Sequence, residues 1–241
     1  MRAIYQPAGR AGEYSPLACN LYMTCSHGCK YCYVPQTIKK TKEQFFVSAP
    51  SRPGILDALD KDARRMALFG EIDKEVLFCF TCDPFQSLED GIAESALQIM
   101  AQHKIPFVTL TKSGTKAIHL LKHYSPRDAF AVSLTLHNPD WSKKWEPSAA
   151  LPQDRLDGLR AAHEAGIRTW ASMEPVINAA ESLAVIEAAL PFTDHFKIGA
   201  ISGVPKVVQA VNWKRFHDEA IKMITRAGRT YYIKHDLETL T

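Results

Sequence analysis

Cys25-Ser26-His27-Gly28-Cys29-Lys30-Tyr31-Cys32 decides how this chain is read. Three thiols in the spacing CxxxCxxC, preceded by Asn20-Leu21-Tyr22-Met23-Thr24, suit three irons of a 4Fe–4S cube. The fourth iron is then left without a protein ligand. Such an open iron can bind and reduce a small molecule, whereas a fully ligated cluster mostly passes electrons. The same thiols with His27 or Cys19 also make the ligand set of a tetrahedral zinc site, so a non-catalytic zinc or iron–sulfur binding module is the alternative. Against zinc, His27 lies between two of the cysteines, where chelation with both is awkward. A disulfide framework is not expected in a chain this long whose cysteines cluster as metal ligands do.

Working outward, 241 residues with 46% apolar content suit one large α/β domain covering residues 1–241. No stretch approaches the roughly 20 apolar residues of a membrane span. Met1-Arg2-Ala3-Ile4-Tyr5-Gln6-Pro7 carries no signal-peptide core, so a cytoplasmic location is the expectation. A formal net charge of +3 is too mild to argue for nucleic acid by itself. The local runs Lys39-Lys40-Thr41-Lys42 and Lys143-Lys144 read as solvated faces.

Short apolar runs alternate with helical patterns along the chain. Strands are expected at 17–23, 76–81, 107–111, 129–136, 167–173 and 195–199, with a last short one at 230–234. Helices are expected at 54–69, 92–103, 115–123, 153–165, 180–190 and 212–226. The segment 37–53 shows no convincing periodicity. Six strand–helix pairs in series predict a parallel sheet with right-handed crossovers. They are too few to close an eight-fold barrel.

In such a sheet the reacting groups gather at the carboxyl ends of the strands. Those ends deliver the three cysteines, then Thr81-Cys82-Asp83-Pro84-Phe85-Gln86, Thr111-Lys112-Ser113, Ser133-Leu134-Thr135, Ser172-Met173-Glu174-Pro175 and Lys197-Ile198-Gly199. Each places polar or metal-binding side chains directly after an apolar run.

The cysteine triplet resembles the cluster loop of the radical S-adenosylmethionine superfamily. Thr81-Cys82-Asp83-Pro84-Phe85-Gln86-Ser87-Leu88-Glu89 is similar to the TDPYQPxE stretch of the subgroup related to spore photoproduct lyase. Thr111-Lys112-Ser113, Ser133-Leu134-Thr135, Trp145-Glu146-Pro147 and Glu174-Pro175-Val176-Ile177 follow in that subgroup's order. Ser148 stands where the subgroup's xEPR segment has Arg. The resemblance implies an open, six-unit (β/α)6 partial TIM-like barrel carrying a 4Fe–4S cluster on Cys25, Cys29 and Cys32. It further implies S-adenosyl-L-methionine as cofactor, cleaved to a 5′-deoxyadenosyl radical that takes hydrogen from a substrate, with an external flavodoxin- or ferredoxin-like electron donor. By the same resemblance Tyr31 meets the adenine and Thr81 and Asp83 the methionine amino group. Lys112 and Ser113 are assigned to the cofactor's carboxylate or ribose, and Ser133 and Glu174 to the ribose.

Cys79 and Cys82, read as strand residues three apart, are expected to point to opposite faces. By the resemblance, in which an additional cysteine near this strand end gives a hydrogen atom, Cys82, nearer the mouth, is the candidate hydrogen-atom donor. Glu174 is also a candidate for an ion pair with Lys197. Trp141 and Trp145 flank Lys143-Lys144, and Tyr231-Tyr232 precede Lys234. Aromatics interleaved with cations can stack bases, which slightly favours a nucleic acid or nucleotide substrate.

Overall fold

The computed structural model describes residues 2–47, 50–71 and 73–241. Eight strands form one open sheet in chain order: β1 (Ile4–Tyr5), β2 (Leu17–Cys19), β3 (Val76–Phe78), β4 (Phe107–Thr111), β5 (Ala129–Ser133), β6 (Arg168–Val176), β7 (His195–Ala200) and β8 (Thr230–Ile233). From β2 to β8 every pairing is parallel. β1, too short to show a pattern in the sequence, pairs antiparallel with β2 as an added edge. Asp62 on the helix Ile55–Leu68 holds that edge, its Oδ2 accepting from the amides of Ala3 (2.8 Å) and Ile4 (3.1 Å).

The crossover helices fall where the apolar spacing puts them: Ile55–Leu68, Ile92–Gln102, Pro152–Glu164, Ala179–Ala189 and Trp213–Arg226. Asn178 and Asn212 cap two of them by accepting from the amides of Glu181 and Arg215. Gly114–His123 winds as a tighter 3-10 helix rather than an α-helix. The segment without periodicity contains a single helical turn, Lys42–Phe45, closed by a capping box between Thr41 and Gln44. Residues 48 and 49 of that segment lie outside the described residues.

Strand alternation divides the burial. Phe107, Phe130, Val132, Ala171, Met173, Phe196 and Ile198 face the helices. Leu77, Val108, Ala129, Ala131 and Trp170 face inward and pack with Tyr14. The inward register continues to the strand ends, so Ser133, Ser172 and Glu174 emerge at one mouth. Several strands are shorter than the apolar runs suggest: β2 stops at Cys19, β3 at Phe78 and β5 at Ser133. The residues beyond leave the sheet as loops that build that mouth. No helix among the described residues is long and apolar enough to cross a membrane.

Candidate active site

A cavity of about 440 Å³ opens at the carboxyl ends of the strands. Cys25, Cys29, Cys32, Tyr31, Thr81, Cys82, Asp83, Lys112, Ser133 and Glu174 all line it. Of the residues assigned to the cluster, the cofactor or hydrogen donation, Ser113 alone does not. Its hydroxyl turns behind the wall to Asp83 Oδ1 (3.2 Å) and the carbonyl of Phe85 (3.1 Å).

The cysteine loop leaves β2 through Asn20–Thr24 and bends at Gly28, whose φ of 67° is the left-handed conformation glycine tolerates. The Cys32 amide then closes a turn on the Cys29 carbonyl (3.1 Å). Two further backbone bonds clamp the loop to the segment after β5: Lys30 N to Trp145 O (2.8 Å) and Ser148 N to His27 O (3.1 Å). His27 is spent on the same scaffold. Its Nδ1 lies 3.2 Å from Ser148 O, and its Nε2 lies 3.0 Å from Asp83 Oδ2, off the line of a well-formed hydrogen bond. Cys19 is fully buried in β2, outside the cavity wall. Both proposed fourth ligands for zinc are therefore directed elsewhere. Among the described residues, no three His, Cys, Asp or Glu side chains converge on a point that one metal ion could fill.

A polynuclear cluster fits this wall. Burial pushes the thiols of Cys25, Cys29 and Cys32 up, Cys29 to about 12. Three thiolates in such a place need a positive centre, and iron supplies one. Beside them, Thr81 Oγ1 is buried in the wall with no hydrogen-bond partner among the described residues. An orphaned hydroxyl in a ligand-sized cavity is a contact waiting for a polar ligand.

Asp83 is the hub beneath the cavity. Its carboxylate accepts from Thr111 Oγ1 (2.8 Å), Ser113 Oγ (3.2 Å) and the amides of Lys112 (2.6 Å) and Phe85 (2.9 Å), besides the contact with His27. Burial alone would raise its carboxyl, but His27 and the amides outweigh it and hold it well below the usual carboxylate range. Both oxygens are engaged by the protein, so Asp83 ties the cysteine loop to the ends of β3 and β4. Asp83→Asn would set an NH2 against at least one donor. A cost of about 2–3 kcal/mol is expected, read as a lower urea midpoint at pH 6. Because the folded value lies below the unfolded one, this stabilisation is complete above about pH 4 and lost as pH falls through the folded value. The variant's deficit should therefore shrink in strongly acidic solution.

Tyr31 is anchored from the other side. Its hydroxyl donates to Glu146 Oε1, and Glu146 Oε2 pairs with Arg155 Nη2 at 2.6 Å, both residues 1% exposed. Arg155 also donates to the carbonyls of Ala150 (2.7 Å) and Ser133 (2.9 Å). Burial alone would raise the Glu146 carboxyl; Arg155 and Lys112 outweigh it and hold it below the usual range. The Lys112 ammonium lies 5.9 Å from the Tyr31 ring centre. The sequence reading left the Trp145-Glu146-Pro147 loop without a role and passed over Arg155, which sits in a first helical turn where arginines are ordinarily solvated.

Two expectations are corrected. Glu174 pairs with Lys234 (2.6 Å), not Lys197. Gly199 makes room for that pair, since a Cβ there would lie 3.0 Å from Lys234 and 3.2 Å from Glu174 side-chain atoms. Lys197 instead donates to the carbonyl of Tyr14 and lies 4.4 Å from the Trp170 ring centre. Secondly, Cys79 and Cys82 do not face opposite ways. β3 ends at Phe78, strand alternation stops there, and both thiols line the same cavity. Asn20, quoted only as a flank of the triplet, fixes this bend, its Oδ1 accepting from the amides of Phe80 (2.8 Å) and Thr81 (2.9 Å).

Solved structures share this architecture. A cysteine-to-serine mutant of spore photoproduct lyase superposes with a TM-score of 0.73 at 13% identity, covering 95% of this chain and 80% of that one. A second spore photoproduct lyase mutant, with bound AdoMet and dinucleoside spore photoproduct, gives 0.71 at 14% identity over 95% and 79%. SuiB of Streptococcus suis bound to S-adenosylmethionine gives 0.64 at 13% identity over 92% and 51%. Uncharacterized protein ORF301 of Acidianus two-tailed virus is 25% identical over 166 residues, 66% of this chain and 55% of that protein. The chain thus spans about half the length of that curated relative. The sequence profile of the Radical SAM superfamily matches residues 19–177, from the end of β2 to beyond β6. By that match, and with the cysteine triplet at the mouth of an open parallel barrel, the chain belongs to the Radical SAM superfamily.

Proposed function

We propose that this protein is a radical S-adenosylmethionine enzyme whose substrate is a nucleic acid or a nucleotide. The observation that carries the reading is the shared cavity: three cysteines, Tyr31 and the orphaned Thr81 hydroxyl face one space at the strand ends. When bound there, a 4Fe–4S cluster with S-adenosyl-L-methionine supplies methionine and a 5′-deoxyadenosyl radical able to remove a substrate hydrogen atom. Cys25, Cys29 and Cys32 hold the cluster. Thr81 meets a polar group of the methionine part, and Tyr31, set by Glu146, presents its ring to the adenine. Lys112 offers a positive charge to the carboxylate. Ser133 and Glu174, on neighbouring strands, face the ribose. Asp83 and Ser113 position these groups without touching the ligand. The Cys82 thiol gives its hydrogen to a substrate-centred radical: a C–H bond forms, the S–H bond breaks, and the unpaired electron stays on sulfur. The electron that starts each cycle comes from a flavodoxin- or ferredoxin-like donor.

The nucleic-acid preference draws support from the rim. Trp141, Lys143 and Lys144 are exposed on the helix Pro139–Trp145, which follows β5 on the cavity side. Tyr231 and Tyr232 are exposed on the edge strand β8. Anaerobically reconstituted protein should convert S-adenosylmethionine to 5′-deoxyadenosine in the presence of reductant. Deuterium should pass between that product and one of DNA, RNA or peptide. Absence of any DNA or RNA binding at low ionic strength would reassign the substrate to a small molecule or protein.

A further inference from the structure

Cys79-Phe80-Thr81-Cys82 is a second closely spaced thiol pair, and the fold turns both residues to one cavity. Burial, joined by the neighbouring Cys82 thiol, pushes the Cys79 thiol up. Both are nearly buried yet reach the cavity wall, and neither is in a disulfide. The bend between them is built in: one acceptor, Asn20 Oδ1, takes both intervening amides, and Asn20 Nδ2 is itself anchored 2.7 Å from the Tyr5 hydroxyl. Two thiols set at either side of one fixed bend, on the wall of one cavity, need little backbone movement to join, and such movement is the usual obstacle to closing a disulfide. Cys19, the remaining thiol outside the triplet, lies in β2 behind the wall.

We propose that Cys79 and Cys82 are a redox-active dithiol. On oxidation one S79–S82 bond forms and two S–H bonds break, releasing two protons and two electrons. An organic disulfide of the glutathione class accepts them, its own S–S bond breaking to give two thiols. The reduced pair offers S–H hydrogens to the cavity and the oxidised pair offers none. The pair thereby determines whether the cavity can return a hydrogen atom to a bound radical, a consequence that rests on the function proposed above. The dithiol chemistry itself does not depend on that function.

The test equilibrates the anaerobically reconstituted protein with defined ratios of reduced and oxidised glutathione. Free thiols are then trapped by alkylation and the linked peptides identified by mass spectrometry. One disulfide, between Cys79 and Cys82, should rise from about one tenth to nine tenths occupancy over a roughly 100-fold change in the ratio of squared reduced to oxidised glutathione, as a single two-electron couple requires. Cys19→Ala should leave that transition in place, and Cys79→Ser and Cys82→Ser should each abolish it. The proposal is overturned if both thiols stay free in oxidised glutathione alone, carry only mixed glutathione adducts, or pair with Cys19 or a triplet cysteine. Because peptide mapping needs no turnover, failure of the pair to titrate is separable from failure to cleave S-adenosylmethionine.

Discussion

Cys29→Ala is expected to empty the site. Protein reconstituted without oxygen should carry about four irons per chain in the parent and close to none in the variant. Formation of 5′-deoxyadenosine should fall to background. Substitutions in the outer shell of metal sites already cost about 10–100-fold, so loss of a ligand must cost more. Cys29 is the right member to remove. It is the most buried of the three and closes the turn to Cys32 through its carbonyl, which alanine retains. Far-ultraviolet circular dichroism should therefore stay unchanged, separating ligand loss from misfolding. Cys19→Ala, which removes a thiol outside the cavity, should keep its iron. Four irons in Cys29→Ala would defeat the assignment of the triplet.

Arg155→Ala is expected to be among the most destabilising single changes. It leaves the Glu146 carboxylate buried without its cation and strips the carbonyls of Ala150 and Ser133 of their donors. Breaking a buried pair by removing one partner costs about 3–5 kcal/mol. At roughly 2–4 °C per kcal/mol for a chain of this size, the thermal midpoint should drop by about 6–20 °C. Glu146→Gln combined with Arg155→Met should recover a large part of that loss, because no uncompensated charge remains. The acceptor that anchors Tyr31 loses its support in the single variant and its charge in the double one, so affinity for S-adenosylmethionine should stay impaired in the double variant even where stability returns. A single variant within about 2 °C of the parent would show that the pair is worth no more than a surface one.

Much of the architecture was legible because it rests on period and order. Apolar runs such as Val76–Phe78 and Phe107–Thr111 are bounded by turn residues, and their alternation with helices dictates a parallel sheet. That the three cysteines of the triplet share one wall was legible because they are contiguous in the chain. What could not be read depends on contacts between distant residues. Nothing near Glu146 announces that Tyr31, 115 residues earlier, donates to it. Lys197 and Lys234 carry equal formal charge, and only the turn after β8 decides that Lys234 is the one to meet Glu174. The misjudged facing of Cys79 and Cys82 has a local cause. Strand alternation was extended past Phe78 as far as Cys82, where Asn20 had already drawn the chain out of the sheet.

The two backbone bonds that tie residues 27 and 30 to residues 148 and 145 carry a temporal consequence. During synthesis the three cysteines leave the ribosome more than a hundred residues before the segment that braces them. A nascent chain ending at β4 would display three thiols on an unsupported loop, exposed to adventitious metals and oxidants. The proposed cluster is therefore expected to enter late, once β5 and the segment after it have docked.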